Sequence, residues 1–202
     1  MTKVKICGIK RIEDVAYVNK YMPEYIGFVF APGRKRTVSF EQAQMLREIM
    51  SPDIKSVGVF VDAEIDEIVR LVEADVINIV QLHGHEDEAY VDALKKTCKK
   101  PFEIIKAFVV KTKETLEIAK TFPCDYLLLD GGLGQGETFD WSLIQGVTKP
   151  FFLAGGLDAT NVSVAINQVQ PYAVDVSSSV ETDGCKDEAK IRNFIDKVRR
   201  EL

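Results

Sequence analysis

The sequence predicts an α/β fold, a single (β/α)8 TIM barrel spanning residues 1–202 as one domain. Three observations carry that prediction. Eight short apolar runs recur along the chain, with starts 21, 30, 21, 27, 23, 24 and 23 residues apart. Most neighbouring runs are separated by an amphipathic stretch, the alternation of a βα repeat. The runs are near-continuously hydrophobic instead of alternating, as expected where helices cover a parallel sheet. A doubly wound open sheet would usually carry a Gly-rich nucleotide fingerprint after its first strand, and Gly8 alone is not one.

Taken in order, Val4–Ile9 is a short, partly β-branched strand that turns at Gly8. Tyr25–Ala31 and Lys55–Val61 are the second and third strands. Between them Ser39-Phe40-Glu41-Gln42 has the form of a capping box that opens a helix running to about Met50. Ile65, Ile68, Val69 and Val72 fall at helical spacing before the strand Val76–Leu82. Glu103–Val109, Tyr126–Leu129, Pro150–Ala154 and Ala173–Val176 supply the remaining strands. The sixth unit is the least regular: Gly131–Gly136 is a glycine-rich loop, and only Trp141–Ile144 after it can start a helix. Ile191, Phe194, Ile195 and Val198 mark the final helix. Its last turn is loaded with Lys197, Arg199 and Arg200, where positive charge suits the dipole.

Composition narrows the partners. Lys and Arg number 26 against 31 Asp and Glu, and the basic residues are scattered, which argues against nucleic-acid binding. No apolar run approaches the roughly 18 residues of a membrane span, and Met1-Thr2-Lys3 leads straight into a strand. The four cysteines, Cys7, Cys98, Cys124 and Cys185, form no CxxC pair. With only His83 and His85 beside them no zinc-ligand spacing arises, so no metal is expected. The thiols read as reduced and the location as cytoplasmic.

In such a barrel the residues just after each strand gather on one face. Cys7 ends the first strand. It is either a small buried hydrophobe, the commoner fate of a free cysteine, or a reactive thiol. Asp130 follows Leu127-Leu128-Leu129 directly. It either caps its loop, or is a carboxyl whose apolar surroundings favour its protonated form, as a general acid requires. Arg34-Lys35-Arg36 follows the second strand and is a solvated triplet unless one arginine turns inward, where its planar fork would hold a carboxylate. Gln81, His83 and Asp175 stand at other strand ends; of His83 and His85, one could line the pocket rim, though a lone histidine in a turn is more often incidental. Gly155-Gly156 and Ser177-Ser178-Ser179 follow the seventh and eighth strands, where barrels commonly bind phosphate.

Together these residues resemble those of the phosphoribosylanthranilate isomerase family. The resemblance runs along essentially the whole chain: Lys5-Ile6-Cys7-Gly8-Ile9, Gly27-Phe28-Val29-Phe30, Lys35-Arg36 before Val38-Ser39, and Val80-Gln81-Leu82-His83-Gly84. It continues through Leu128-Leu129-Asp130, Thr138-Phe139-Asp140-Trp141, Ala154-Gly155-Gly156-Leu157, Asn161-Val162 and Val174-Asp175-Val176-Ser177-Ser178. The resemblance implies a (β/α)8 barrel that performs a cofactor-free Amadori rearrangement in tryptophan biosynthesis. The substrate would be a phosphosugar–anthranilate conjugate, the assembly a monomer or homodimer. By resemblance Asp130 is the general acid that protonates the furanose ring oxygen, and Cys7 the general base that removes the C2′ proton. Arg36 matches the position that holds the anthranilate carboxylate and Asp175 one that contacts sugar hydroxyls. Gln81 and His83 are further substrate-binding positions, and Gly155, Gly156, Ser178 and Ser179 the phosphate site.

The chain departs from the family at Lys10, where threonine is common, at Gly131, and at Ser179, where glycine is usual. A Cβ at Ser179 would be strained if the backbone there needed a positive φ. Rival readings need other residues. A metal-dependent epimerase would want several strand-end ligands, and a Schiff-base aldolase a strand-end lysine, for which Lys106 is the candidate. A barrel that merely binds a phosphorylated metabolite would need neither Cys7 nor Asp130.

Overall fold

The structure, a computed structural model, describes residues 1–131, 141–144 and 146–200. Eight parallel strands close into a barrel in sequence order. They are β1 (Lys3–Cys7), β2 (Tyr25–Val29), β3 (Lys55–Phe60), β4 (Ile79–Leu82), β5 (Glu103–Val109), β6 (Tyr126–Asp130), β7 (Phe151–Ala154) and β8 (Ala173–Val176). Six helices precede the last strand: α1 (Ile12–Tyr21), α2 (Phe40–Glu48), α3 (Ile65–Glu73), α4 (Glu88–Thr97), α5 (Lys113–Thr121) and α6 (Val162–Val169). The sixth unit contributes a 3₁₀ turn, Trp141–Leu143, and α7 (Glu188–Arg199) follows β8. The predicted loop beyond Gly131 and the motif Thr138-Phe139-Asp140 lie outside the described residues. No helix among the described residues is long and apolar enough to cross a membrane.

Two apolar layers follow from strand alternation. Val4, Ile6, Ile26, Phe28, Ile104 and Leu127 face the helices, while Tyr25, Val57, Ile79, Ile105, Leu128 and Phe152 fill the barrel. Phe152 is fully buried, packed edge-to-face with Tyr25 and Tyr126 at centroid separations of 5.2 and 5.7 Å. Below it the barrel is closed by polar contacts. Lys3 Nζ donates to the Tyr172 hydroxyl at 2.6 Å, Tyr25 and Tyr172 share a 3.0 Å hydrogen bond, and the Tyr126 hydroxyl donates to Glu103 at 2.9 Å.

Several local expectations change. Val76 and Ile77 are buried but precede the β4 ladder, and Asp130 is the last residue of β6 instead of the first of a loop. Ser39 does cap α2, accepting from the Gln42 amide, but the Gln42 side chain donates to the Lys10 carbonyl at 2.7 Å and ties α2 to the turn after β1. Arg199 serves more than the α7 dipole, because its guanidinium donates to the Tyr21 and Met22 carbonyls at the end of α1. Ser179 has no positive φ, so its Cβ is unstrained. After β8 the chain forms an additional hairpin, β9 (Glu181–Thr182) and β10 (Cys185–Lys186). Asp183 and Gly184 turn it with φ of 52° and 75°, the left-handed pair that two-residue hairpins require.

Because Phe152 fills the barrel between three aromatic neighbours, Phe152→Ala should cost about 3–5 kcal/mol, the usual toll of an aromatic-sized cavity. Urea unfolding monitored by circular dichroism would measure it, with Phe152→Leu expected to lose much less.

Candidate active site

Alternate residues of the strands reach a cavity of about 550 Å³ at the C-terminal mouth of the barrel. Cys7 from β1, Gln81 from β4, Asp130 from β6 and Asp175 from β8 line it, with His83 at its edge. Arg36 enters from the loop after β2, and Gly155, Gly156, Ser177, Ser178 and Ser179 form the opposite wall. Every site residue expected from the sequence is therefore in one cavity. His85 is not: it is exposed, beside Asp62 at 2.9 Å.

Of the basic triplet, Arg34 and Lys35 are exposed and Arg36 turns inward. Gly8 makes room for it, since with φ +84° it has no β-carbon to strike the Arg36 side chain. Arg36 is already engaged, however. Its Nε and Nη2 donate in parallel to Glu181 Oε1 and Oε2, both at 2.7 Å. The edge of the guanidinium left for another carboxylate is the Nη1/Nη2 end. Glu181 also accepts from Lys186 Nζ at 2.7 Å, and that buried ammonium donates to the Ser177 carbonyl at 2.9 Å. Burial alone would raise the Glu181 carboxyl, but hydrogen bonds from Arg36 and Lys186 outweigh it and hold it at about 2.

Gly155 also needs a missing side chain. Its φ is +89°, and a β-carbon there would lie 2.8 Å from Asp130 Oδ1 and against the Gly131 amide. The bend after β7 thus wraps the Asp130 carboxyl. The loop is fixed from behind: Asn161 donates to the Gly156 carbonyl at 2.8 Å, and the Ser179 hydroxyl donates to the Leu157 carbonyl at 2.6 Å. The serine that replaces the usual glycine therefore pins the loop after β8 to the loop after β7. Asp158 lines the same wall, but its Oδ1 accepts from the Thr160 and Asn161 amides and the Thr160 hydroxyl.

On the far wall Gln81 Nε2 donates to His83 Nδ1 at 2.9 Å, which leaves the His83 proton on Nε2. That nitrogen is 4.0 Å from Asp130 Oδ2. Burial lowers the His83 pKa more than the neighbouring carboxylates raise it, so the imidazole is neutral near neutrality. Gln81 Oε1 is buried with no hydrogen-bond partner among the described residues, an acceptor at the cavity floor.

Cys7 is half-buried, and burial is the largest influence on its thiol, raising its pKa against the opposing pull of Lys5 and Lys186. Lys5 is the residue that sequence reasoning missed. It lies fully buried one inward position below Cys7, and its Nζ is 3.0 Å from Asp175 Oδ1. Alternation along β1 puts Lys3, Lys5 and Cys7 on one face, the signal that could have found it. The lysine inside the barrel is thus Lys5. Lys106, the aldolase candidate, points toward the helices and is held by Glu86 at 2.7 Å and the Gly84 carbonyl at 2.8 Å. Lys186 was missed too, although Asp183-Gly184 is a strong hairpin signal. Among the described residues no cluster of three or more His, Cys, Asp or Glu side chains could hold a metal ion.

Residues 4–197 match the family model described as N-(5'phosphoribosyl)anthranilate (PRA) isomerase. The chain belongs to this family. An N-(5'-phosphoribosyl)anthranilate isomerase of Acetivibrio thermocellus is 48% identical over 98% of this chain and 96% of its own. The crystal structure of phosphoribosyl anthranilate isomerase from Thermotoga maritima superposes with a TM-score of 0.88 at 37% identity, covering 99% of this chain and 100% of that one. A further crystal structure of the isomerase, in complex with reduced 1-(o-carboxyphenylamino)-1-deoxyribulose 5-phosphate, has a TM-score of 0.87 at 36% identity over 99% and 100% of the two chains. Members of the family are aldose–ketose isomerases of tryptophan biosynthesis, and the barrel described here serves that isomerisation.

Glu181 supplies the pH-dependent part of this wall. Its carboxyl is depressed from 4.5 to about 2, so the stability it contributes is present above pH 4.5 and lost as pH falls toward 2. Glu181→Gln should therefore be less stable than wild type at pH 6, with the difference closing between pH 4.5 and 2. Urea midpoints measured across that range would show it; a difference that stays constant would remove the ion pair from the account.

Proposed function

We propose that Cys7 and Asp130 are the base and acid of the isomerisation, and that the whole barrel is one catalytic unit. The observation that carries this assignment is that a thiol from β1 and a carboxyl from β6 open into one cavity, opposite the loops after β7 and β8. Asp130 gives its proton to the furanose ring oxygen of N-(5-phosphoribosyl)anthranilate as the ring C–O bond opens to a Schiff base. The Cys7 thiolate then takes the C2′ proton, leaving an enolamine that tautomerises to the ketone of 1-(2-carboxyphenylamino)-1-deoxyribulose 5-phosphate. The pair needs one proton between its two members, resident on Asp130 while Cys7 is a thiolate.

The surrounding groups suit the rest of the substrate. The open end of the Arg36 guanidinium takes the anthranilate carboxylate, and the Glu181 clamp keeps that end facing the cavity. Gln81 Oε1 and Asp175 accept from sugar hydroxyls, while neutral His83 presents a donor beside Asp130. Gly155, Gly156, Ser178 and Ser179 receive the phosphate, where glycine backbone lets an anion approach closely. With all four cysteines free, and one of them the base, the protein is suited to a reducing compartment such as the cytoplasm.

The test is loss of anthranilate-type fluorescence on freshly generated phosphoribosylanthranilate. Cys7→Ala and Asp130→Asn should fold normally and each lose about 10²–10⁴-fold in kcat, the usual contribution of a general base or acid. Near-normal turnover by folded Cys7→Ala would return the thiol to a packing role. Arg36→Ala should chiefly raise KM, by about 1.5–3 kcal/mol in binding for a charge-assisted hydrogen bond. Arg36→Lys should recover only part of that, because an ammonium cannot serve Glu181 and the substrate through two planar edges. Unchanged kinetics in Arg36→Ala would make it a structural partner of Glu181 alone.

A further inference from the structure

Lys5 is a puzzle of placement. Its side chain is fully enclosed in the barrel, beneath the cavity floor, in a layer otherwise built from aliphatic and aromatic residues. Burying an ammonium is costly even when it is paired, and a buried ion pair is seldom better for stability than apolar packing. Its carboxylate partner, Asp175, is itself nearly buried on the neighbouring strand, held there by the β1–β8 register that sets Lys5 opposite Asp175. Cys7 is the next inward residue of β1 above Lys5, and ammonium and thiol favour each other's charged forms. Gly27, opposite Cys7 on β2, keeps the space open: a β-carbon there would be 2.8 Å from Cys7 Sγ and 3.3 Å from Lys5 Nζ.

We propose that Lys5 is a positioning residue for the isomerisation, an enclosed ammonium shared between Asp175 and Cys7 that supports the thiolate form of the base. This rests on the assignment of Cys7 as base. While Cys7 carries its proton, Asp175 is the counterion of Lys5. When the thiolate forms, its charge meets the same ammonium from above, and after the C2′ proton is taken the ammonium returns to Asp175 alone. No proton leaves Lys5 in this cycle. Burial pulls its pKa down, but Asp175 and Cys7 acting together raise it above 10.5, which keeps it cationic and unfit as an amine nucleophile.

The other charges around Cys7 cannot take this part. Arg36 from the loop after β2 and Lys186 from β10 both act on the thiol, yet both are clamped to the single carboxylate of Glu181. Asp130 and His83, across the cavity, act on Asp175. Lys5 alone of these cations lies directly below Cys7 on the same inward face of β1, clear of Glu181.

Peptide-resolved alkylation tests this without turnover. The rate of iodoacetamide modification of Cys7 is followed by mass spectrometry from pH 6 to 11 in wild type, Lys5→Met and Asp175→Asn. Buried Cys98 in the same digest reports whether each variant is folded. In wild type the rate should climb about tenfold per pH unit through neutrality, since the thiol is raised. Lys5→Met should move the Cys7 midpoint up by a pH unit or more, an about tenfold slower reaction at pH 8. Asp175→Asn, which is isosteric and releases Lys5 to the thiol, should move it down. Opposite shifts establish the shared ammonium. A folded Lys5→Met with an unmoved midpoint overturns it, and so does an Asp175→Asn midpoint that stays or rises. If Lys5→Met does not fold, the Asp175→Asn shift decides. Failure of the base assignment is read separately, as retained activity in Cys7→Ala.

Discussion

The seam between β1 and β8 is the constraint on which the site depends. Closing the barrel sets Lys5 opposite Asp175 and Val4 opposite Val174, across some 170 residues of sequence. The same closure lets the Ser177 hydroxyl donate to the Cys7 carbonyl at 3.0 Å, so the loop after β8 is fastened to the end of β1. Alternation does the rest. Once the register is fixed, every second residue of each strand must face the barrel interior, and the last inward positions of β1, β4, β6 and β8 are Cys7, Gln81, Asp130 and Asp175. A slip of one residue along this seam would exchange Lys5 for Ile6 and bury the charge among the helices.

Charge at the cavity is arranged in two separate groups. Lys5 with Asp175 is close to neutral and lies in the barrel, while Arg36 and Lys186 share Glu181 and leave a positive excess at the rim. The second group suits a substrate that carries a carboxylate and a phosphate. It is delivered by the hairpin after β8, and Arg11 holds that hairpin from outside by donating to the Lys186 carbonyl at 3.0 Å. Arg11 is in turn fixed by the buried Asp14 of α1 through two hydrogen bonds of 2.9 and 2.6 Å. A rim cation is thereby braced by the first helix as well as by the last strand.

The barrel was legible because a parallel sheet covered by helices leaves an unmistakable rhythm of apolar runs. Its strand ends were less so, since apolarity reports burial and not pairing. Val76 and Ile77 are buried from a turn, and Asp130 pairs although it is charged. In the site, Cys7, Asp130, Arg36 and the two glycine- and serine-bearing loops were found because they interrupt an otherwise apolar pattern at strand ends. Lys5 escaped for the converse reason: a lysine inside a short strand looks like an outward-facing residue until barrel closure decides which way it points. The partner of Arg36 was also hidden. Glu181 lies 145 residues away, and no local spacing links the two.

The span of sequence between Lys5 and Asp175 has a consequence for the protein's history in the cell. In synthesis β1 precedes β8 by some 170 residues, so the two strands that meet at this seam are made far apart in time. Until β8 and the hairpin after it dock, Lys5 has no carboxylate partner and Arg36 no clamp. The cavity therefore takes its shape only when β8 closes the barrel.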